Sequence, residues 1–284
     1  MKTKTYEYLT YYSPSFIYIP YDHIDTLNIR KDKKVFNNMH LGTRKDNSNI
    51  FSSVSGIIVG SKKMNYLDGT YDSLIIENDF IERRKKISPF KELSMLNKNE
   101  INDLLIKYGL YKRINSKTIL IVKSTFSKKD YGDMVINYES YEEILESIDE
   151  LLEVYKIKNC YIVIPNDDLV SRSAFNKYIN AFPNICITNS DKKIKNNKCV
   201  IYSIEDVLAV NKAVHLDYLL DNTMITINSK DRIVVRVKLF SSLIEVLYAL
   251  NIKYKNKKVY VNDKFIEDIS DFVITRNIKI VEIK

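Results

Sequence analysis

Glycine is scarce in this chain, with 6 among 284 residues, against roughly 7% in ordinary proteins. Phosphate cradles, flavin loops and P-loops lean on glycine, because only a residue without a Cβ lets the backbone approach a phosphate closely. The scarcity argues against most nucleotide chemistry. Cysteine is scarce too: Cys160, Cys186 and Cys199 are scattered, with no CxxC pair. Iron–sulfur clusters are held by sets of thiolates usually grouped in sequence, so this chain is not expected to hold one by itself. The three are expected as plain buried thiols in a reducing compartment. His23, His40 and His215 lack metal-ligand spacing and are expected at the surface or in turns. No apolar run approaches the roughly 20 residues that span a bilayer. The opening MKTKTYEYLTYY lacks a signal-peptide h-region. A cytoplasmic location is expected, with membrane association only through partners.

The formal net charge is +8, which allows attraction to nucleic acid or to an acidic partner. The lysines are nevertheless spread along the chain and interleaved with acids. The densest basic patches, 82–86 and 191–198, read as solvated loops, and no element interleaves aromatic with basic residues in the manner of a single-strand binder. DNA or RNA binding is therefore the third of the functional readings below.

The most informative stretch runs from 107 to 164. Residues 118–122 (TILIV) and 160–164 (CYIVI) read as buried strands. Between them Tyr141, Ile144, Leu145, Ile148, Leu151, Leu152 and Tyr155 recur at helical spacing. Ser140 and Glu143 fit a capping box at the start of that helix. The opposite face carries Glu139, Glu142, Glu143, Glu146, Asp149, Glu150 and Glu153, expected to be solvated. Strand, helix and strand make a βαβ unit of a parallel sheet. The loop before it, Lys107-Tyr-Gly-Leu-Tyr-Lys-Arg-Ile-Asn-Ser-Lys117, has a single glycine, Gly109. The scaffold of a nucleotide site is expected without its loop.

The fold class expected is α/β plus β. Residues 1–80 read as a β domain of short strands, with 16–20, 55–59 and 74–77 apolar and turns at 32–34 and 37–38. Residues 81–117 read as a linker and a helix, capped by Asn97 or Asn99, with Ile101, Leu104, Leu105 and Tyr108 inward and Gly109 ending it. Residues 118–216 form the α/β body. It includes a helix at 168–182 with Leu169, Phe175, Tyr178, Ile179 and Phe182 inward, strands at 185–188 and 199–202, and a helix at 205–216 begun by Ser203 and Asp206. Residues 217–284 read as a β-grasp module: strands at 224–227, 233–238 and 258–261, a helix at 241–250 with Leu243, Ile244, Leu247 and Leu250 on one face, and final strands at 272–275 and 278–283.

This order of parts resembles RnfC, a subunit of membrane-bound electron-transport complexes related to the flavoprotein subunit of complex I. The family joins a barrel-sandwich domain, an α/β flavin and NADH domain, a β-grasp SLBB domain and a ferredoxin-like region. The most specific match is Phe51-Ser-Ser-Val-Ser-Gly56, followed by Ile57-Ile58, where the family reads His-Ala-Ser-Val-Ser-Gly-x-Val. Asp32-Lys-Lys-Val-Phe-Asn-Asn-Met-His-Leu-Gly42 is similar to a family hairpin with glycines at the positions of Asp32 and Asn38. His23-Ile24-Asp25 stands for His-Ile-Gly, and 75–79 matches an apolar strand ending in an acidic turn. The hairpin lacks a carrier lysine, so no tethered cofactor is expected. In the β-grasp part the family has glycine where Phe240 stands, and Gly-Gly-Pro where this chain has Asn262-Asp263-Lys264.

The resemblance implies a flavin-phosphate loop of Gly-Leu-Gly-Gly-Ala-Gly-Phe-Pro-Thr type, which here is reduced to Gly109-Leu110 followed by Tyr111-Lys112-Arg113. The family's Glu-Cys-Glu-Pro-Tyr segment becomes Ser124-Thr-Phe-Ser-Lys-Lys-Asp-Tyr-Gly-Asp133, and an Asn-x-x-Thr element becomes Ser203-Ile-Glu-Asp206. Gly109, Lys112, Arg113 and Lys123 mark the vestigial flavin-loop region. The resemblance thus implies a scaffold or partner-binding subunit of an electron-transfer or amino-acid reductase system in an anaerobe, without FMN, iron–sulfur cluster, metal or catalytic residues of its own. The alternative is an active oxidoreductase subunit that binds NADH and FMN. The candidate partner-binding residues are Glu142, Glu146 and Glu153, on the acidic helix face.

Overall fold

The computed structural model describes residues 7–22, 24–27, 30–84, 96–125, 127–190, 194 and 198–284. His23, Asp25's side chain, Lys85 and Lys86 of one basic patch, most of the 191–198 patch, part of the 81–117 linker and Phe126 lie outside what it describes. The protein is mixed α/β, with several sheets and five α-helices among the described residues. In chain order the elements are β1 (Glu7–Tyr12), β2 (Phe16–Pro20), β3 (Ile24–Leu27), β4 (Lys34–Val35), β5 (His40–Arg44), β6 (Asn49–Phe51), β7 (Gly56–Tyr66) and β8 (Gly69–Asn78). Then come α1 (Lys98–Lys107), β9 (Ile119–Lys123), α2 (Gly132–Tyr155), β10 (Cys160–Val163), α3 (Leu169–Asn176), β11 (Ile185–Thr188), β12 (Cys199–Ser203) and α4 (Ile204–Leu216). The chain closes with β13 (Asn222–Asn228), β14 (Arg232–Lys238), α5 (Leu243–Ala249), β15 (Val259–Val261), β16 (Lys264–Ile266) and β17 (Ile280–Ile283). No helix among the described residues is long and apolar enough to cross a membrane.

The chain divides into two compact units, one of Met1–Lys86 with Asp221–Lys284 and the other of Ile87–Leu220. The first holds three sheets, in the orders β1-β14-β13-β17-β15-β16, β2-β8-β7-β4 and β3-β5-β6. Ile225, Val235, Leu243, Leu247, Val261 and Val281 belong to one of its buried clusters, with α5 contributing Leu243, Val246 and Leu247. Ile17, Ile19, Val35, Leu41, Ile58 and Ile76 belong to another. β1, rich in the β-forming residues Tyr and Thr although no strand was expected there, runs parallel to β14. Residues 272–275, expected as a strand, bury Phe272, Val273 and Ile274 but pair only through isolated bridges, Asn65 with Phe272 and Ser242 with Val273.

Gly56, in the Val54-Ser55-Gly56 motif, explains itself sterically. It pairs with Asn78 on β8 and with Val35 on β4, and an added Cβ would lie 1.8 Å from the Glu77 carbonyl oxygen. The serines before it tie the loop down. Ser52 Oγ donates to the Val54 carbonyl at 2.6 Å, Ser53 Oγ to the Leu239 carbonyl at 2.7 Å, and Ser55 Oγ to Asp79 Oδ1 at 2.6 Å.

The second unit is built on a four-stranded parallel sheet in the order β11-β10-β9-β12. α1 begins at the expected cap: Asn97 accepts from the backbone of Asn99 and Glu100, and Glu100 Oε2 reaches back to the Asn97 N–H at 2.8 Å. α4 opens with the Ser203–Asp206 box. α2 starts at Gly132, eight residues before the expected cap, and Ser140 instead marks a kink with φ −132° and ψ 23°. The early turns escape a reading by apolar periodicity because they bury Gly132, Asp133 and Asn137 beside Ile136. Three further expectations need correction. α3 ends at Asn176 and buries Ser171, Ala174 and Phe175, so Leu169, two positions from Ser171, points outward at 72% exposure. Cys186 is exposed, while Cys160 is buried, and none of the three forms a disulfide. His215 is buried on α4, with Nε2 2.9 Å from Glu150 on α2.

Candidate functional site

In the parallel sheet β9 lies between β10 and β12. The chain moves from β9 to β10 and β11 in one direction, then returns to β12 on the other side of β9. Strand order reverses between β9 and β12, and open α/β sheets bind ligands beyond the carboxyl ends of the strands at such a reversal. Lys123 and Ser203 are register partners at that end.

Carboxylates take the places where an anion would sit. Asp133 lies in the first turn of α2, Asp168 caps α3, and Glu205 and Asp206 lie in the first turn of α4. These are the three helices that follow β9, β10 and β12. A helix N-terminus attracts one anion through its free N–H groups and dipole, and here each is served by the chain's own acid. Asp168 Oδ1 accepts from the Ser171 N–H at 3.0 Å, and burial raises its carboxyl above the usual range despite that bond. Asp133 Oδ2 accepts from the Thr125 N–H at 2.6 Å, and Thr125 Oγ1 lies 2.8 Å from Asp130 Oδ2 and 3.0 Å from Asp133 Oδ2. Asp130 and Asp133 are each 1% exposed. Neither was singled out as a site residue from the sequence, because both precede the stretch with apolar helical spacing; an acid at the start of each helix was the signal that could have found them.

The residues expected as a vestigial flavin loop make contacts within the fold. Gly109 follows Tyr108, the C-cap of α1, and its φ of 67° belongs to the helix end. Lys112 Nζ donates to the Ile201 carbonyl, lies 3.3 Å from Asp206 Oδ2, and sits 4.1 Å from the centre of the Tyr202 ring. Tyr202 in turn donates to the Leu110 carbonyl at 3.1 Å. Lys112 and Lys123 are both placed beside the start of α4, one by contact with Asp206 and the other by register with Ser203. Arg113 is exposed on the loop after α1. This donor set does not fit a flavin phosphate: the best-placed ammonium is already paired, and the helix starts carry negative charge. Among the described residues no three His, Cys, Asp or Glu gather as a metal site.

On α2 the acidic face divides in two. Glu143 pairs with Lys212 at 2.9 Å and Glu150 with His215, so both reach toward α4, Glu143 while still partly exposed. The reason is the long contact between α2 and α4, which has polar residues along its rim. Glu142, Glu146 and Glu153 are exposed, and with Asp149 they follow the spacing of one stripe, four, seven and eleven residues from Glu142. Burial, then the charges of Glu153 and Glu150, raise the Asp149 carboxyl above its usual range. The chain matches no protein-family model and no curated protein.

Proposed function

We propose that this chain is an RnfC-like protein of an electron-transport system, acting as a partner-binding subunit without FMN or an iron–sulfur cluster of its own. The observation that carries the family reading is conformational. Asp32, Asn38, Phe240, Asn262 and Asp263 have φ of 65°, 64°, 70°, 47° and 64°. These are positions where the family pattern has glycine. Asn and Asp tolerate this region, whereas for a bulky aromatic it is a true outlier, so Phe240 weighs most. A retained glycine-type backbone at substituted positions is what descent from that pattern would leave. The strand order β14-β13-β17-β15-β16, with β17 parallel to β13 and α5 following the first hairpin, supports a β-grasp, SLBB-like reading of 217–284. The paired sheets of residues 16–78 are compatible with a barrel-sandwich domain.

The expectation of no flavin is supported by the donor set at the sheet edge, where Lys112 is already paired with Asp206. Anaerobically purified protein from its native host is expected to show no absorbance band of a flavin or an iron–sulfur cluster. A stoichiometric band of either kind would overturn the proposal and favour the second reading, NADH- and FMN-linked electron transfer, which the strand-order reversal alone supports.

The partner surface proposed is the stripe of Glu142, Glu146 and Glu153. Local negative charge on a protein of net charge +8 would steer a basic protein partner, acting on the association rate more than on final affinity. Reversing all three to lysine should leave the melting curve nearly unchanged, since the side chains are exposed. Recovery of partners from host lysate should fall, most at low salt, where charges are least screened. Equal recovery of every partner by both proteins at two ionic strengths would reduce the stripe to an ordinary solvated face.

A further inference from the structure

The unit containing both termini has a cavity of about 360 Å³ lined by Tyr66, Tyr71, Phe240, Arg44, Asp22 and Asp68, among others. We propose that it binds a small zwitterion with an aromatic body, of the chemical class of an aromatic α-amino acid.

Arg44 is the first observation. Its side chain makes no hydrogen bond or ion pair with any described residue. Burial, only partly offset by Asp46, lowers its pKa. Asp46 is a poor partner because its Oδ1 is taken by the N–H and Oγ of Ser48, at 2.9 and 2.6 Å. A partly buried guanidinium with no directly paired anion is costly, and its planar fork matches a carboxylate. The second observation is the opposite charge in the same cavity. Asp22 Oδ2 accepts from the Asp72 N–H at 2.8 Å, and its other oxygen makes no hydrogen bond to a described residue. Asp68 is exposed at the rim. Two carboxylates and one guanidinium disfavour a phosphate or a dianion and suit a ligand that carries both an ammonium and a carboxylate.

The walls set the body of the ligand. Tyr66 and Tyr71 rings have centroids 5.5 Å apart, and the Tyr66 hydroxyl is held by the Tyr18 carbonyl at 2.8 Å and Ser73 Oγ at 2.7 Å. Phe240 is fixed on both sides of its peptide: its N–H donates to the Ile274 carbonyl at 2.8 Å, and its carbonyl accepts from the Tyr18 N–H at 2.9 Å. Its left-handed φ of 70° is a strained conformation for an aromatic residue, of a kind concentrated at ligand sites. The cavity lies at the small end of ligand pockets, which span roughly 300–1,000 Å³, and fixed aromatic walls favour a flat ring.

The test is calorimetric titration of the full chain with L-phenylalanine, 3-phenylpropionate, phenethylamine and glycine. L-phenylalanine should bind saturably with one site, and each of the other three should bind about tenfold or more weakly, the loss expected for one charge-assisted hydrogen bond or for the ring. Arg44→Met should weaken L-phenylalanine and 3-phenylpropionate about tenfold and leave phenethylamine unchanged. Asp68→Asn, at an exposed position that does not endanger folding, should weaken phenethylamine and L-phenylalanine and spare 3-phenylpropionate. No saturable binding of L-phenylalanine by the wild-type protein, tighter binding of either singly charged analogue, or unchanged affinity in folded Arg44→Met would each overturn the proposal. The electron-transport reading shares Phe240 as an observation, but its own tests, an absorbance spectrum and partner recovery, read neither Arg44 nor Asp68, so the two can fail separately.

Discussion

Replacing Asp221 by alanine should cost about 3–5 kcal/mol of stability, the penalty for leaving a buried charge without its partner. Lys238 is 3% exposed, and its Nζ lies 2.6 Å from Asp221 Oδ2. Asn37 Nδ2 donates to the same oxygen at 2.7 Å, and Asn222 Nδ2 reaches Oδ1 at 2.9 Å. Glu82 Oε1, at 3.7 Å from Lys238 and accepting from the Tyr11 hydroxyl at 3.0 Å, is too exposed and distant to replace Asp221. The check is the midpoint of urea unfolding. Asp221→Leu combined with Lys238→Met should cost less than Asp221→Ala alone, because no charge is left stranded, though Asn37 would lose its acceptor. If the double variant proved the less stable, the pair would be a net stabiliser in its own right. The pH dependence follows from the same contact. Burial, the largest single influence, pulls the Lys238 pKa down, but Asp221 and Tyr11 together outweigh it and the net shift is upward. A raised folded pKa gives stability that is fully present below the unfolded lysine value, about 10.4, and lost as pH rises through the folded value. The wild-type protein should therefore lose this contribution only in strongly alkaline solution, and Asp221→Ala should not show that loss.

Gly56→Ala should cost about 3 kcal/mol or more, the upper range for overpacking. The new Cβ would stand 1.8 Å from the Glu77 carbonyl oxygen and 2.9 Å from its carbon. Those are backbone atoms of a paired strand, so relief requires moving β8 away from β7. Gly60, four residues on in the same strand, has nothing within 4 Å of its virtual Cβ. Gly60→Ala should change stability by no more than about 0.5 kcal/mol. Thermal or urea unfolding of the two variants side by side tests the steric argument, since the chemistry of the change is identical. Equal effects at the two positions would mean that strand propensity, not the close approach to Glu77, sets the cost.

Local signals were readable from the sequence where a residue's partner lies within a turn or two of helix. The Asn97–Glu100 and Ser203–Asp206 boxes, the end of α1 at Gly109 and the apolar face of α2 from Ile144 to Tyr155 are of this kind. So is the parallel pairing of β9 with β10, since continuous apolar strands joined by a helix have few other arrangements. Asn38 and Asp32 adopt the positive φ expected of them because the turn chemistry is carried by single residues. The candidate site was less readable. The sequence did not show that Asp206 and Tyr202 hold Lys112, nor that Glu143 and Glu150 face α4, because those contacts join residues 65–94 positions apart.

What the amino-acid order settled by itself was the class of the strongly periodic elements, such as α1, α4, β9 and β10, and the poverty of glycine, because these depend on periodicity and on the count of one residue type. Only the tertiary structure decided that β1 pairs with β14, that Lys238 is neutralised by Asp221, and that Arg44 shares a cavity with Tyr66, Tyr71 and Phe240. Those outcomes depend on which surfaces meet after the chain has folded back on itself. A lysine in an alternating strand reads as solvent-facing until a carboxylate just ahead of the preceding strand closes over it.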